Sequence, residues 1–305
     1  MHAQTPRPVR SLFVSDVHLG CRFCQPEKFL EYFESFQPER VYLLGDFLDG
    51  RKLKSQWRWE PAYTQIICKL LDMAADGVEV YYTPGNHDAF LRSAHTQAML
   101  GLTSNGMQIE DEFVFESQSG KRFLLIHGDR FDIVEERYRW LSYLGTIVYE
   151  PLLAFNWVWS KLRRRPGKRR SPYSFCAKLK RQAKAAVRYV SNFEQRLFNH
   201  ARVNGCDGVV CGHIHSPGVT QSDDFIYVNT GDWVENCTAL VEELDGSVWL
   251  ESFFSGVERV SVLPPTNTPE QGGDAKPARP AALPASKTAK SEPGKKAVAG
   301  VATAG

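Results

Sequence analysis

Ser11-Leu12-Phe13-Val14-Ser15-Asp16-Val17-His18 is a short apolar run that ends abruptly on a carboxylate and an imidazole two residues apart. A continuous apolar run of this length reads as a strand buried on both faces. Val41-Tyr42-Leu43-Leu44 repeats the pattern and ends on Gly45-Asp46, and Val78 to Tyr82 ends at the turn Pro84-Gly85-Asn86. Between them, Pro26 to Phe36 places Phe29, Leu30, Tyr32, Phe33 and Phe36 on roughly one helical face. Trp57 to Ala75 reads as a second helix, stopped near Gly77. Strand, helix, strand, helix, strand argues for a largely parallel sheet flanked by helices, with functional groups gathered beyond the carboxyl ends of the strands. Farther on, Arg122-Phe123-Leu124-Leu125-Ile126 delivers His127-Gly128-Asp129, and Gly208-Val209-Val210-Cys211 delivers Gly212-His213-Ile214-His215. Phe225 to Val228, Ala239 to Leu244 and Ser247 to Phe253 then read as antiparallel strands, with Asp245-Gly246 as a hairpin turn.

The residues at these strand ends offer oxygen and nitrogen donors and no thiolate, a set that suits a pair of hard-to-borderline cations. Two such ions hold a phosphate between them and make hydroxide at neutral pH. Taken singly, each motif has a plainer reading. Asp16 and His18 suit a surface carboxylate and a capping imidazole, Asp46 suits a helix N-cap, and His127 suits a satisfied core histidine. Asp49 reads as a loop residue or one that supports the ligands. Gly85-Asn86-His87-Asp88 is the sharpest element: Gly85 permits a tight backbone and Asn86 supplies a neutral oxygen. His87 stays available as an acid near the phosphate, with Asp88 expected to hold its tautomer. His213 and His215 alternate, so they project together. Five of the eight histidines fall in these motifs, and that joint occurrence favours the metal reading over the plain ones.

The net charge of +2 is unremarkable, but its distribution is not. Pro151 to Phe193 contains no Asp or Glu, while Lys161, Arg163, Arg164, Arg165, Lys168, Arg169 and Arg170 crowd one part of it. Nucleic-acid binding fits that charge, yet no recognisable nucleic-acid-binding motif accompanies it. Seven cysteines without a framework spacing favour a reducing compartment. Cys21 and Cys24 form a lone C-x-x-C with no second pair at zinc-finger spacing. Met1 to Arg10 has no apolar core of the secretory kind, so a cytoplasmic location is expected.

The ordered set D-x-H, G-D, G-N-H-D, H-G-D and G-H-x-H resembles the calcineurin-like metallophosphoesterases, over about residues 9–130 and 205–255. The resemblance implies an α/β four-layer sandwich, helices outside two central sheets, with a dinuclear metal site between loops. It implies that Asp16, His18, Asp46 and His215 bind the first ion and Asp46, Asn86, His127 and His213 the second, with Asp46 bridging. It makes His87 the catalytic histidine and favours Mn, with Fe or Zn as alternatives; hydrolysis then proceeds by a metal-bridging hydroxide. Ser15 to Leu19, Gly45-Asp46-Phe47 and a basic helical insertion resemble the UDP-2,3-diacylglucosamine pyrophosphatase branch, which releases UMP and an acylated sugar phosphate in lipid A biosynthesis. The best-known enzymes of that branch carry Arg after the motif Asn, where this chain has His87.

The expected organisation is a metallophosphoesterase domain over residues 1–263, carrying a helical cap insertion over about 131–203, and a disordered tail over 264–305. The tail lacks any aromatic residue and cannot bury enough surface to order itself. In the insertion, aromatic-rich Trp140 to Leu162 beside the basic cluster suits peripheral contact with an anionic membrane, or a helical cap with a solvated basic edge. The expected substrate is a phosphorylated small molecule or lipid-linked nucleotide. The competing class is a non-enzymatic scaffold that keeps the fold, set against the presence of all seven ligands and His87.

Overall fold

Phe13 and Tyr42 face one way from adjacent parallel strands and stack at a centroid distance of 4.6 Å, while Val14, Val41 and Leu43 face the other way. Burial on both faces is what the unbroken apolar runs require. The computed structural model describes residues 5–56, 58–102, 106–132, 193–222, 224–253, 258–266 and 281–282.

A seven-stranded sheet contains β1 (Arg7–Val14), β2 (Phe36–Leu43), β3 (Glu79–Tyr82), β4 (Met107–Ile109), β10 (Thr238–Glu242), β11 (Val248–Ser252) and β12 (Glu258–Leu263), in the order β12-β11-β10-β1-β2-β3-β4. Its β1 to β4 half is parallel, and β10 to β12 join β1 in antiparallel register. A six-stranded sheet contains β5 (Glu112–Glu116), β6 (Arg122–Ile126), β7 (Gly208–Cys211), β8 (Gly218–Ser222), β9 (Phe225–Asn229) and β13 (Ala281–Ala282), in the order β13-β5-β6-β7-β9-β8. The chain is therefore a mixed α/β protein with two sheets, and the parallel strands expected from the sequence are divided between them.

Three apolar clusters show how these parts stack. The helices α1 (Pro26–Glu34) and α3 (Pro61–Ala75) put Phe29, Phe33, Tyr63, Ile66 and Leu70 against Val14, Leu43 and Val80 of the first sheet. The other face of that sheet, with Phe13, Tyr42 and Tyr81, packs on Phe113, Phe123, Leu125 and Val228 of the second. The far face of the second sheet packs Leu124, Val209 and Tyr227 against Phe193, Leu197 and Ala201 of α5 (Phe193–Val203). Both α1 and α3 begin with proline in the first turn, where no N–H is needed. The helix expected from Trp57 accordingly starts at Pro61, and Phe36, expected on the first helix, opens β2. Two short helices, α2 (Gly50–Ser55) and α4 (Ala94–Met99), were not anticipated.

Residues 133–192, which hold most of the expected insertion with its aromatic and basic stretch, lie outside the described residues. Of the expected tail, residues 264–266 and the strand β13 are described, and β13 pairs with β5.

One ionic cluster is buried near the junction of the sheets. Glu242 accepts from the Ser11 hydroxyl at 2.7 Å, the Gln118 N–H at 3.1 Å and Arg40 Nη2 at 3.4 Å. Removing one member of a buried pair leaves its partner charged and dry, at a cost of roughly 3–5 kcal/mol. Glu242→Ala is expected to lose that much in urea denaturation, and a loss below about 1 kcal/mol would show that Arg40 is solvated.

Candidate metal centre

The parallel strands of both sheets deliver their carboxyl ends to one place. From the first sheet, β1 leads into Asp16 and His18, β2 into Asp46 and β3 into Asn86 and His87; from the second, β6 leads into His127 and β7 into His213 and His215. The backbone there is unusual. Asp16 (φ 53°), His18 (φ 53°), Asp46 (φ 52°), His213 (φ 64°) and His215 (φ 48°) are five of the six non-glycine residues with positive φ among the described residues. Asp and His tolerate this region better than most side chains, yet each such residue stores of order 1–3 kcal/mol of strain. Hydrogen bonds between loops hold it: the Asp16 N–H donates to Gly45 O at 3.0 Å and the His18 N–H to Asp46 O at 2.9 Å.

Asp16, His18 and His215 form one trio, and Asp16, Asp46 and His127 another, with the ligand atoms of each trio within 4.8 Å of one another. In the first, His215 Nε2 lies 2.9 Å from Asp16 Oδ1, and the Nε2 atoms of His18 and His215 face each other at 3.2 Å. Two ring nitrogens in that position share at most one proton, whereas a cation satisfies both. In the second, His127 Nδ1–H donates to Leu44 O at 2.8 Å, which turns Nε2 toward Asp46 Oδ2 at 3.4 Å and Asn86 Oδ1 at 3.3 Å. Asp46 Oδ2 also lies 3.9 Å from His18 Nε2, so this carboxylate stands between an imidazole of each trio. His213 belongs to neither trio: its N–H donates to Asp16 Oδ2 at 3.0 Å, its ring lies 5.2 Å from that of His127, and its Nε2–H donates to Asp132 Oδ2 at 3.1 Å.

The donor set, its convergence and its packing fit divalent cations. A Cβ on Gly85 would sit 2.2 Å from Asp46 Oδ1, and one on Gly45 would sit 2.3 Å from His127 Nδ1, so the cradle closes around ligand atoms only because these positions lack side chains. Burial pushes the Asp16 and Asp46 carboxyls up, but the surrounding histidines outweigh it and hold both below the usual range. Reciprocally, burial lowers His18 and His127, but the carboxylates outweigh it, raising His18 well above its ordinary value and His127 to about 10.

The surroundings of His87 differ from expectation in one respect. Asp88 does not contact the His87 ring; it accepts from the N–H groups of Phe47 at 2.8 Å, Leu48 at 3.4 Å and Gly85 at 2.6 Å, and from the Tyr82 hydroxyl. Asp88 therefore ties two ligand loops together. The partner of His87 is Asp49, whose Oδ1 accepts from His87 Nδ1–H at 2.9 Å. The reason is local: Asp49 caps α2, accepting from the Lys52 N–H at 3.0 Å, and this cap turns the carboxylate toward the site. Burial pushes Asp49 up, but His18 and His87 together hold it far below the usual range.

Two supporting carboxylates escaped the sequence reading. Asp132 holds His213, as above. Asp232 caps its own loop by accepting from the N–H groups of Val234 at 2.8 Å and Glu235 at 2.6 Å, and binds Asn236, which donates to His215 O at 3.0 Å. A signal existed for Asp232, because Gly231-Asp232 follows β9 much as Gly45-Asp46 follows β2.

Known proteins bear on this arrangement. A family model described as calcineurin-like phosphoesterase matches residues 9–217. A protein named UDP-2,3-diacylglucosamine hydrolase from Haemophilus influenzae is 25% identical over 252 residues, covering 76% of this chain and 94% of its own. Another of that name from Histophilus somni is 23% identical and covers 78% of this chain and 97% of its own. Among solved structures, a phosphoesterase from E. coli is 15% identical, with a TM-score of 0.43, and covers 83% of this chain and 98% of its own.

Proposed function

Since the chain belongs to the calcineurin-like phosphoesterase family and is a phosphoester hydrolase, we propose that its substrate is UDP-2,3-diacylglucosamine, cleaved to UMP and 2,3-diacylglucosamine 1-phosphate. The observation that carries the hydrolytic reading is the pair of ligand trios that share Asp16, with Asp46 between their imidazoles. The substrate is supported by relatives of that name that align along nearly their whole length.

Asp16, His18, Asp46 and His215 are assigned to the first cation, and Asp46, Asn86, His127 and His213 to the second. Two divalent ions held there, Mn in this reading, would lower the pKa of water and neutralise phosphate oxygens. The protein's own residues supply the rest. Asp49 accepts the hydrogen bond from His87 Nδ1–H and so leaves Nε2 to meet the leaving oxygen. The His87 N–H donates to Asp46 Oδ1 at 2.8 Å, which fixes the acid relative to the ligands. The His87 side chain is 26% exposed, against 1% for His127, so it is the imidazole placed to meet a substrate.

Cation uptake must displace the protons on His18 and His127, both raised in the metal-free chain. Binding is therefore expected to release protons at neutral pH and to strengthen from pH 6 toward 9. Calorimetry in buffers of different ionisation enthalpy measures this; uptake without proton release would contradict it.

His87 in place of Arg favours a second reading, a phosphoesterase acting on another nucleotide, a phosphoprotein or a phospholipid. A panel with added Mn separates the two: UDP-2,3-diacylglucosamine, cyclic nucleotides, phosphoproteins and bis(p-nitrophenyl) phosphate. UMP release from the first supports the proposal, whereas hydrolysis of the others alone supports the second reading. A lipid-linked substrate also implies peripheral membrane contact. Among the described residues no helix is long and apolar enough to cross a membrane. Sedimentation with anionic vesicles, lost on neutralising Arg163, Arg164, Arg165, Arg169 and Arg170, is the corresponding test.

A further inference from the structure

The ligands assigned to the second cation come from different sheets. Asn86 follows β3 of the first sheet and His127 follows β6 of the second, yet Asn86 Oδ1 and His127 Nε2 must be held near their 3.3 Å separation. The apolar cluster between the sheets attracts them without direction, so the spacing of the ligands rests on directed polar links, of which His127 Nδ1–H to Leu44 O is one.

Arg92 spans this junction. Its Nη2 donates to Pro84 O at 2.7 Å, two residues before Asn86. The same nitrogen donates to Asp129 Oδ1 at 3.1 Å and Oδ2 at 3.0 Å, two residues after His127. Its Nε donates to Asp111 Oδ1 at 3.1 Å. Asp111 lies on the short crossover from β4, at the edge of the first sheet, to β5 of the second. Asp111 is itself held from its other oxygen by Arg130 Nη2 at 2.7 Å. One guanidinium thus touches the ligand loop of each sheet and the segment that joins the sheets. Two carboxylates already surround it, so it is a poor anchor for substrate phosphate and a good strut.

We infer that Arg92 is a positioning residue that sets the distance between the Asn86 loop and the His127 loop and thereby forms the second cation's half of the centre. This rests on the dinuclear reading above. A planar fork makes these bonds in fixed directions at once, which the single ammonium of lysine does not reproduce.

The test is Mn binding by the full chain, measured by calorimetry and by metal content after dialysis, alongside hydrolysis of bis(p-nitrophenyl) phosphate. The wild-type chain is expected to hold two ions. Arg92→Ala is expected to keep one and to bind the second about 10–100-fold more weakly, the usual cost of losing a group that orients ligands. Its kcat falls at limiting Mn and recovers in part at excess Mn, and Arg92→Lys does not rescue it. Asp129→Asn, which breaks the link from the other side, is expected to lose the same ion, and it serves if Arg92→Ala does not fold. Arg130→Ala, which removes the ion pair to Asp111 and leaves the bonds of Arg92 in place, keeps both. Two unchanged Mn affinities in Arg92→Ala and Asp129→Asn, with only a lower Tm, overturn the inference and leave Arg92 as scaffolding. A wild-type chain that holds fewer than two ions overturns instead the dinuclear reading beneath it.

Discussion

Asp46→Asn is expected to lower hydrolysis of bis(p-nitrophenyl) phosphate by at least about 10³-fold, because it removes charge stabilisation worth roughly 4 kcal/mol. Asparagine is the informative replacement. Asp46 sits at φ 52°, a conformation that asparagine adopts with little penalty, so the loop is retained. Its Oδ1 accepts from the His87 N–H, which an amide oxygen still does. What disappears is the negative charge between His18 and His127, one imidazole of each trio. Bound Mn should fall in parallel with turnover. A folded Asp46→Asn protein that turns over at the wild-type rate would sink the dinuclear scheme.

Gly85→Ala is expected to cost about 10²-fold in kcat, the loss that accompanies a misplacement of about 1 Å at a reacting centre. The added Cβ would lie 2.2 Å from Asp46 Oδ1 and 2.7 Å from both Cδ2 and Nε2 of His127. Neither neighbour can move away: Asp46 is fixed by its loop, and His127 is tethered through Nδ1 to Leu44 O. The loop carrying Asn86 and His87 has to shift instead. Gly77→Ala is the control, since its Cβ meets nothing within 4 Å although its φ is +95°. That variant should lose of order 1–2 kcal/mol of stability and no activity. Equal activity in the two variants would show that the cradle is looser than its packing implies.

Much of the candidate centre was legible because the residues proposed as ligands follow buried strands, where a polar residue after an apolar run is conspicuous. Asp16, Asp46 and His127 announce themselves in this way. The roles of Asp49 and Asp88 were not legible, because which carboxylate reaches His87 depends on the short helix that Asp49 caps. Nothing in Gly50 to Ser55 separates that helix from a loop by periodicity alone. Asp132 and Asp232 act on histidines distant in sequence, so no local spacing connects them. The two sheets were expected from the family resemblance and not from the runs themselves: an apolar run shows that a strand is buried but not which neighbour it takes. Glu112 to Glu116 was not read as a strand from the sequence, yet it forms β5 and turns Phe113 and Phe115 toward the first sheet.

The pairing of Ser11 with Glu242 has a consequence for biosynthesis. A ribosome releases β1 ahead of the other described strands, but the strand that covers its open side is β10, whose Glu242 emerges 231 residues after Ser11. Until then an apolar edge with unsatisfied backbone groups is exposed, a ready template for pairing with another nascent chain. Premature termination ahead of Thr238 therefore creates an aggregation hazard, even though every ligand-bearing loop has already been made.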